Sequence, residues 1–255
     1  MKNNINEEKS KLSISLGYAS QAGGSMLQWD GESADNSGPE ISGDTAFSCS
    51  LPDGSRAVIL SDGMGHGSGA AAESRAAAGL LRRLLKQGMP SARAIKEVNG
   101  YLLNRCSNRE SFATVDLAVI EKMTGRAKFY KMGAAPSYII RGRKIRKIQQ
   151  PALPVGILPA IRLSHVSARL APGDLIVMMS DGICESGCRC RGSKLDSCCG
   201  QPEEDWLISY FNDSMASPLN LHGPRKLAAA LLSEAQHRYK DTERDDATVI
   251  VIAIR

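Results

Sequence analysis

The chain has 255 residues, of which 42% are apolar and 23% charged, and carries a formal net charge of +5. That is ample for a sizeable core and excludes both a disordered chain and a small disulfide-stapled scaffold. The modest, scattered positive charge is no nucleic-acid footprint, and no apolar run reaches the roughly 18 residues that a membrane-spanning helix needs.

The N-terminus is polar (MKNNINEEKSK) and lacks the apolar core of a signal peptide. The expectation is a soluble, cytoplasmic segment with no membrane contact of its own, or the cytosolic domain of a longer membrane-anchored protein. Residues 1–16 read as a flexible arm ahead of one domain over 17–255, and Gly17 to about Pro39 as a long irregular loop rich in Gly, Ser, Ala and Asn. Ala46–Ser50 and Ala57–Leu60 read as short strands. The second ends at Ser61-Asp62-Gly63 and passes through a glycine-rich turn into a helix over about 68–87. Ser68 can cap that helix, Leu80, Leu81, Leu84 and Leu85 supply its apolar face, and Gly88-Met89-Pro90 stops it. Ser91 can cap a second helix, with Ile95, Val98 and Leu102 at helical spacing.

Strand signals then follow closely over 114–120, 127–132, 137–141 and 144–148. The connections are too short for parallel crossovers, so the pairing is antiparallel. The basic run Arg141–Lys147 reads as two edge strands about a turn at Gly142, with a solvated face. Residues 161–170 and 174–179 read as a further hairpin across Ala171-Pro172-Gly173. Helices over about 203–214 and 224–239 and a final strand, 248–254, complete the chain. Paired helices and antiparallel runs predict an α+β fold: an α-β-β-α sandwich of two mostly antiparallel sheets flanked by helices.

Aspartates mark the strand ends. Asp62 and Asp181 each close an apolar strand and precede glycine, Asp245 and Asp246 precede the last strand, and Asp44 precedes 46–50. Asp-Gly is also a common turn pair, so the repetition at matching ends carries the reading. Asp44, Asp62, Asp181 and one of Asp245 and Asp246 are expected to meet on one sheet edge. Clustered carboxylates repel and need protons or cations. Oxygen ligands without His or Cys suit Mg²⁺ or Mn²⁺. Two such ions roughly 4 Å apart would clamp a phosphate and acidify a bridging water.

At these residues the chain resembles the PPM (PP2C-like) protein phosphatase family, and within it the SpoIIE branch. The carrying pieces are Ser42-Gly-Asp44, Ser61-Asp-Gly-Met-Gly65, Phe129-Tyr-Lys-Met-Gly-Ala-Ala-Pro136, Leu153-Pro-Val-Gly156, Gly173–Gly182 and Asp245-Asp-Ala-Thr-Val249. The resemblance implies a protein serine phosphatase with a binuclear Mn²⁺ or Mg²⁺ site that hydrolyses phosphoserine with metal-activated water. Carried over, Asp62 would bridge both metals with Gly63 offering its carbonyl. Asp181 and Asp245 would bind the first metal, and Asp44 would bind or orient waters on the second. The implied substrate is a phosphorylated STAS-type anti-anti-sigma factor in sporulation sigma-factor control. The helices at about 68–106 resemble the family's switch helices and imply a homodimer through them.

Other signals are weaker. Gly65-His66-Gly67-Ser68-Gly69-Ala70 contains a dinucleotide-binding pattern, but a second helix follows it where that fold needs a parallel strand. His66 is a candidate general acid on the leaving oxygen. Of seven cysteines, Cys184, Cys188, Cys190, Cys198 and Cys199 crowd into an insert at about 184–200. Their spacing leaves structural zinc and free thiols both open. A non-catalytic module of the same fold and a phosphatase of small metabolites are the competing functions.

Overall fold

The computed structural model describes residues 11–21, 28–29, 32–33, 42–63, 68–105, 111–184, 205–213, 223–238 and 246–255. Its strands form two sheets. Sheet A runs β1 (Ile14–Ser20), β12 (Thr248–Ile254), β11 (Leu175–Met179), β8 (Ser137–Arg141) and β9 (Lys144–Ile148). Sheet B runs β10 (Val166–Arg169), β7 (Arg126–Met132), β6 (Val115–Ile120), β5 (Arg56–Asp62), β4 (Asp44–Ser50), β2 (Gln28–Trp29) and β3 (Glu32–Ser33). The pairing is antiparallel apart from a parallel contact between β2 and β4. The expected α+β sandwich is the fold observed.

Period-two alternation on the strands sends one set of side chains between the sheets. Val58, Leu60, Ala118, Phe129, Ile176, Met178, Ile250 and Ile252 fill that layer. The opposite face of sheet B, with Phe47, Ile59 and Leu117, is covered by α1 (Ser68–Lys86) and α2 (Ser91–Arg105). The opposite face of sheet A, with Tyr138, Val177 and Val251, is covered by α4 (Trp206–Asp213) and α5 (Pro224–Arg238). Asp205, just before α4, accepts hydrogen bonds from the Tyr138 hydroxyl and from Lys147 Nζ. The short helix α3 (Asp181–Cys184) follows β11 directly.

Three expectations are corrected. Ile14–Ser20 is an edge strand pairing along its length with β12, so neither the arm over 1–16 nor the loop from Gly17 describes this segment. Gly17 is not a loop glycine: a Cβ there would stand 2.1 Å from the Pro224 backbone, at the start of α5. Residues 166–169 and 175–179 do not form a hairpin, because β10 pairs with β7 in one sheet and β11 with β8 and β12 in the other. The Pro-Gly turn between them, with Gly173 at φ +94°, is a corner that carries the chain across the sandwich. Finally, β8 is interior to its sheet and only β9 lies at the edge.

Candidate active site

Sheet B supplies the first pair of aspartates. Asp44 and Asp62 are register partners across β4 and β5. The Asp62 backbone is locked to Thr114: its N–H donates to Thr114 Oγ1 at 2.8 Å, and its carbonyl accepts from the Thr114 N–H at 2.8 Å. Ser61 Oγ donates to the Thr114 carbonyl at 2.6 Å. Three bonds within two residues hold the end of β5 straight, which fixes the direction in which Asp62 leaves the strand.

Sheet A supplies the rest. Met179 pairs with Val249 at the last rung between β11 and β12. Beyond it, the Ser180 N–H donates to the Thr248 carbonyl at 3.0 Å, and the Thr248 N–H donates to Ser180 Oγ at 2.9 Å. Asp181 and Asp246 flank this last rung. The two sheets are clasped here, since the Gly43 N–H donates to Asp246 Oδ2 at 2.5 Å. The aspartates therefore do not share one sheet edge, as the strand ends had suggested. They gather at one end of the sandwich, two from each sheet, and the gap between sheets becomes the site.

The glycines after Asp62 and Asp181 have a steric cause. A Cβ on Gly63 would stand 1.9 Å from the Ala70 carbonyl oxygen in α1, and one on Gly182 would stand 2.2 Å from the Asp246 carbonyl oxygen. Gly63 is also tied to the body of the fold. Its N–H donates to the Gly43 carbonyl at 3.2 Å, and it bridges to Ala113, which bridges in turn to Val155. The buried Asn99 of α2 holds the next residues, with Oδ1 accepting from the Gly156 N–H and Nδ2 donating to the Leu158 carbonyl, both at 2.9 Å.

Asp44 is the electrostatic centre of the cluster. It is buried, and neither carboxylate oxygen has a hydrogen-bond partner among the described residues. Burial, reinforced by the charges of Asp181 and Asp246, pushes its carboxyl up to about 8. The hydroxyls of Thr248 and Ser180 pull the other way, yet they are spent elsewhere, on Ser20 Oγ and the Asp246 carbonyl. Asp44 is thus a buried carboxyl short of hydrogen-bond donors, chemically suited to a cation. A carboxylate meant to stay dry would be capped by donors.

Sequence reasoning missed a second polar group beside the cluster. Lys131 Nζ donates to Asp116 Oδ2 at 2.7 Å and to the Ala135 carbonyl at 2.5 Å, and Ser137 Oγ donates to the same Asp116 oxygen at 2.8 Å. The available signal was one charge at an inward-facing position on each of two adjacent apolar strands, Asp116 on β6 and Lys131 on β7. Two such charges side by side must pair.

Asp44, Asp62, Gly63 and Asp181 are thus brought together. Asp245, His66, Cys188, Cys190, Cys198 and Cys199 lie outside the described residues, and Cys184 sits half-buried at the end of α3. Among the described residues, no three His, Cys, Asp or Glu side chains are gathered tightly enough to hold an ion as they stand. In kind, the donors fit a hard divalent cation: carboxylate oxygens, one of them buried and uncapped, beside a glycine carbonyl.

A family comparison decides what this arrangement belongs to. Residues 52–255 match the model of the stage II sporulation protein E (SpoIIE) family. The chain belongs to the SpoIIE family. The stage II sporulation protein E of Bacillus subtilis is 33% identical over 214 residues, 84% of this chain and 24% of that protein. The Priestia megaterium protein of the same name is 32% identical over 215 residues, 84% of this chain and 34% of that protein. The chain thus spans between a quarter and about a third of these relatives. A solved structure of the PP2C phosphatase domain and a regulatory-domain fragment of B. subtilis SpoIIE, 30% identical, superposes with a TM-score of 0.75. That match covers 96% of this chain and 64% of the other. By family and by fold, this is a PP2C-like serine phosphatase domain of SpoIIE type. No helix among the described residues is long and apolar enough to cross a membrane.

Proposed function

We propose that this domain hydrolyses phosphoserine on a protein with two bound Mn²⁺ or Mg²⁺ ions. The observation that carries the reading is Asp44, buried, uncapped and set opposite Asp62 where the two sheets part. When bound, the ions would supply an acidified water and positive charge for a phosphate. Asp62, the Gly63 carbonyl, Asp181 and Asp245 would hold the ions, and Asp44 would hold an ion or its waters. Water oxygen bonds to phosphorus, the ester P–O bond breaks, and the serine oxygen leaves with a proton, which His66 would supply. The products are serine and inorganic phosphate.

Family membership supports a phosphorylated STAS-type anti-anti-sigma protein as substrate, in sporulation sigma-factor control. It also supports action as the cytosolic part of a longer, membrane-anchored protein that dimerises through α1 and α2.

Phosphate release from p-nitrophenyl phosphate, with and without Mn²⁺, tests the reading. Activity is expected only with metal, and Asp62→Ala should abolish it while leaving the fold intact. A folded sample that is inactive at every Mn²⁺ level would instead favour a non-catalytic module of this fold. Turnover of small phosphorylated metabolites in preference to a phosphoserine protein would favour the metabolite reading.

A further inference from the structure

We infer that Asp116 is a positioning residue for the hydrolytic water, held for that task by Lys131 and Ser137. The inference rests on the phosphatase reading above. Along the inner faces of both sheets, apolar side chains give way to polar ones at the site end. Asp44, Asp116, Lys131, Ser137, Ser180 and Thr248 are all buried there. Asp116 is the register partner of Leu60 on one side and of Lys131 on the other, two residues short of Asp62 along β5.

Both donors to this carboxylate converge on one oxygen. Lys131 Nζ and Ser137 Oγ bond Oδ2, while Oδ1 is buried and has no hydrogen-bond partner among the described residues. A pair whose whole purpose was to hold the sheets together would satisfy both oxygens, because an unmet buried acceptor is costly. Asp116 lines a small cleft, partly open to solvent, together with Asp62, Thr114, Ala135, Ser180 and Asp181. The residue that carries the unmet acceptor thus lines the same cleft as Asp62 and Asp181, two of the aspartates proposed as ligands, and a water there has polar partners. A water that donates to Oδ1 keeps a lone pair turned away from Asp116, as a nucleophile must. Lys131 adds a second constraint by anchoring the Ala135 carbonyl in the cleft wall. Orientation of this kind acts on turnover rather than on substrate affinity.

The test compares wild type with Asp116→Asn and with the charge-free pair Asp116→Leu/Lys131→Met. The readouts are p-nitrophenyl phosphate kinetics at saturating Mn²⁺, Mn²⁺ binding by calorimetry, and a crystal structure of the Mn²⁺-loaded wild type. Both variants are expected to bind Mn²⁺ as wild type does, keep KM and lose about 100-fold in kcat. The crystal structure is expected to show an ordered water within hydrogen-bond distance of Oδ1. Folded variants with wild-type kcat, a fall in Mn²⁺ affinity in place of kcat, or a dry Oδ1 would each overturn the assignment and leave the phosphatase reading standing. An inactive wild type would overturn both. If Asp116→Asn does not fold, the pair variant carries the comparison, since it leaves no lone buried charge. If neither folds, the water in the crystal structure decides.

Discussion

Asp44 stands directly opposite Asp62 on the β4–β5 ladder, with its two oxygens buried and uncapped. With Asp44 ionised, like charges opposite one another would destabilise the sheet, and burial adds to the cost of its charge. Backbone bonds from Thr114 to Asp62 and the β4–β5 ladder leave the two residues little room to separate.

A pH dependence follows. The Asp44 carboxyl rises from an ordinary 3.8 to about 8 in the fold, so between those values the folded chain holds a proton that the unfolded chain has released. The stability this gives is complete below about pH 4 and is lost as pH rises through about 8, by at most ~1.4 kcal/mol per unit. Denaturant unfolding in a chelator, from pH 5 to 9, is expected to show this decline and Asp44→Asn to flatten it. An unchanged slope in the variant would remove Asp44 as the cause. Because cation binding needs the ionised carboxylate, Mn²⁺ affinity should rise over the same range.

Asp246 and Asp245 should separate by what they damage. Asp246→Ala removes the acceptor of the Gly43 N–H and is expected to cost about 2 kcal/mol of stability without metal. Asp245→Ala is expected to leave metal-free stability within about 0.5 kcal/mol and to weaken Mn²⁺ binding. Calorimetry beside thermal unfolding reads both, and the reverse pattern would exchange the two roles.

The site glycines should not tolerate a methyl group. Gly63→Ala and Gly182→Ala drive a Cβ into backbone oxygens and are expected to cost about 1–3 kcal/mol each. Gly79→Ala, in α1 with nothing within 4 Å of its Cβ, should add about 0.5–1 kcal/mol instead. Melting temperatures of the three variants check the contrast.

Asn99→Ala is expected to cost about 2 kcal/mol, since it strands the Gly156 N–H in a buried place. It should also loosen the bridges from Val155 through Ala113 to Gly63. Hydrogen exchange at Ala113 and Val155 should quicken more than at Val58, deep in β5. Equal effects at all three would mean that Asn99 acts on the fold as a whole.

Much of this was legible in the sequence because the signals were local. Ser68 and Gly88 bracket α1, and short turns at Gly125 and Gly142 force antiparallel neighbours. What failed was non-local. Gly17 looked like loop composition because nothing nearby in sequence reveals that α5 presses on β1. Pro172-Gly173 looked like a hairpin turn because the residues alone do not say which sheet each flanking strand joins. Asp44, Asp62 and Asp181 were expected on one edge, whereas the first two stand on one sheet and Asp181 follows a strand of the other. Lys131 was passed over because an inward charge has meaning only once Asp116 is seen beside it.

The clasp between Gly43 and Asp246 has a consequence for how the chain can change length. Each sheet sets its aspartates by its own register, and adding or deleting one residue within β4, β5, β11 or β12 would turn an aspartate to the opposite face. The two sheets would then present halves of a site that no longer meet. The strands leading into the candidate site must therefore keep their residue count.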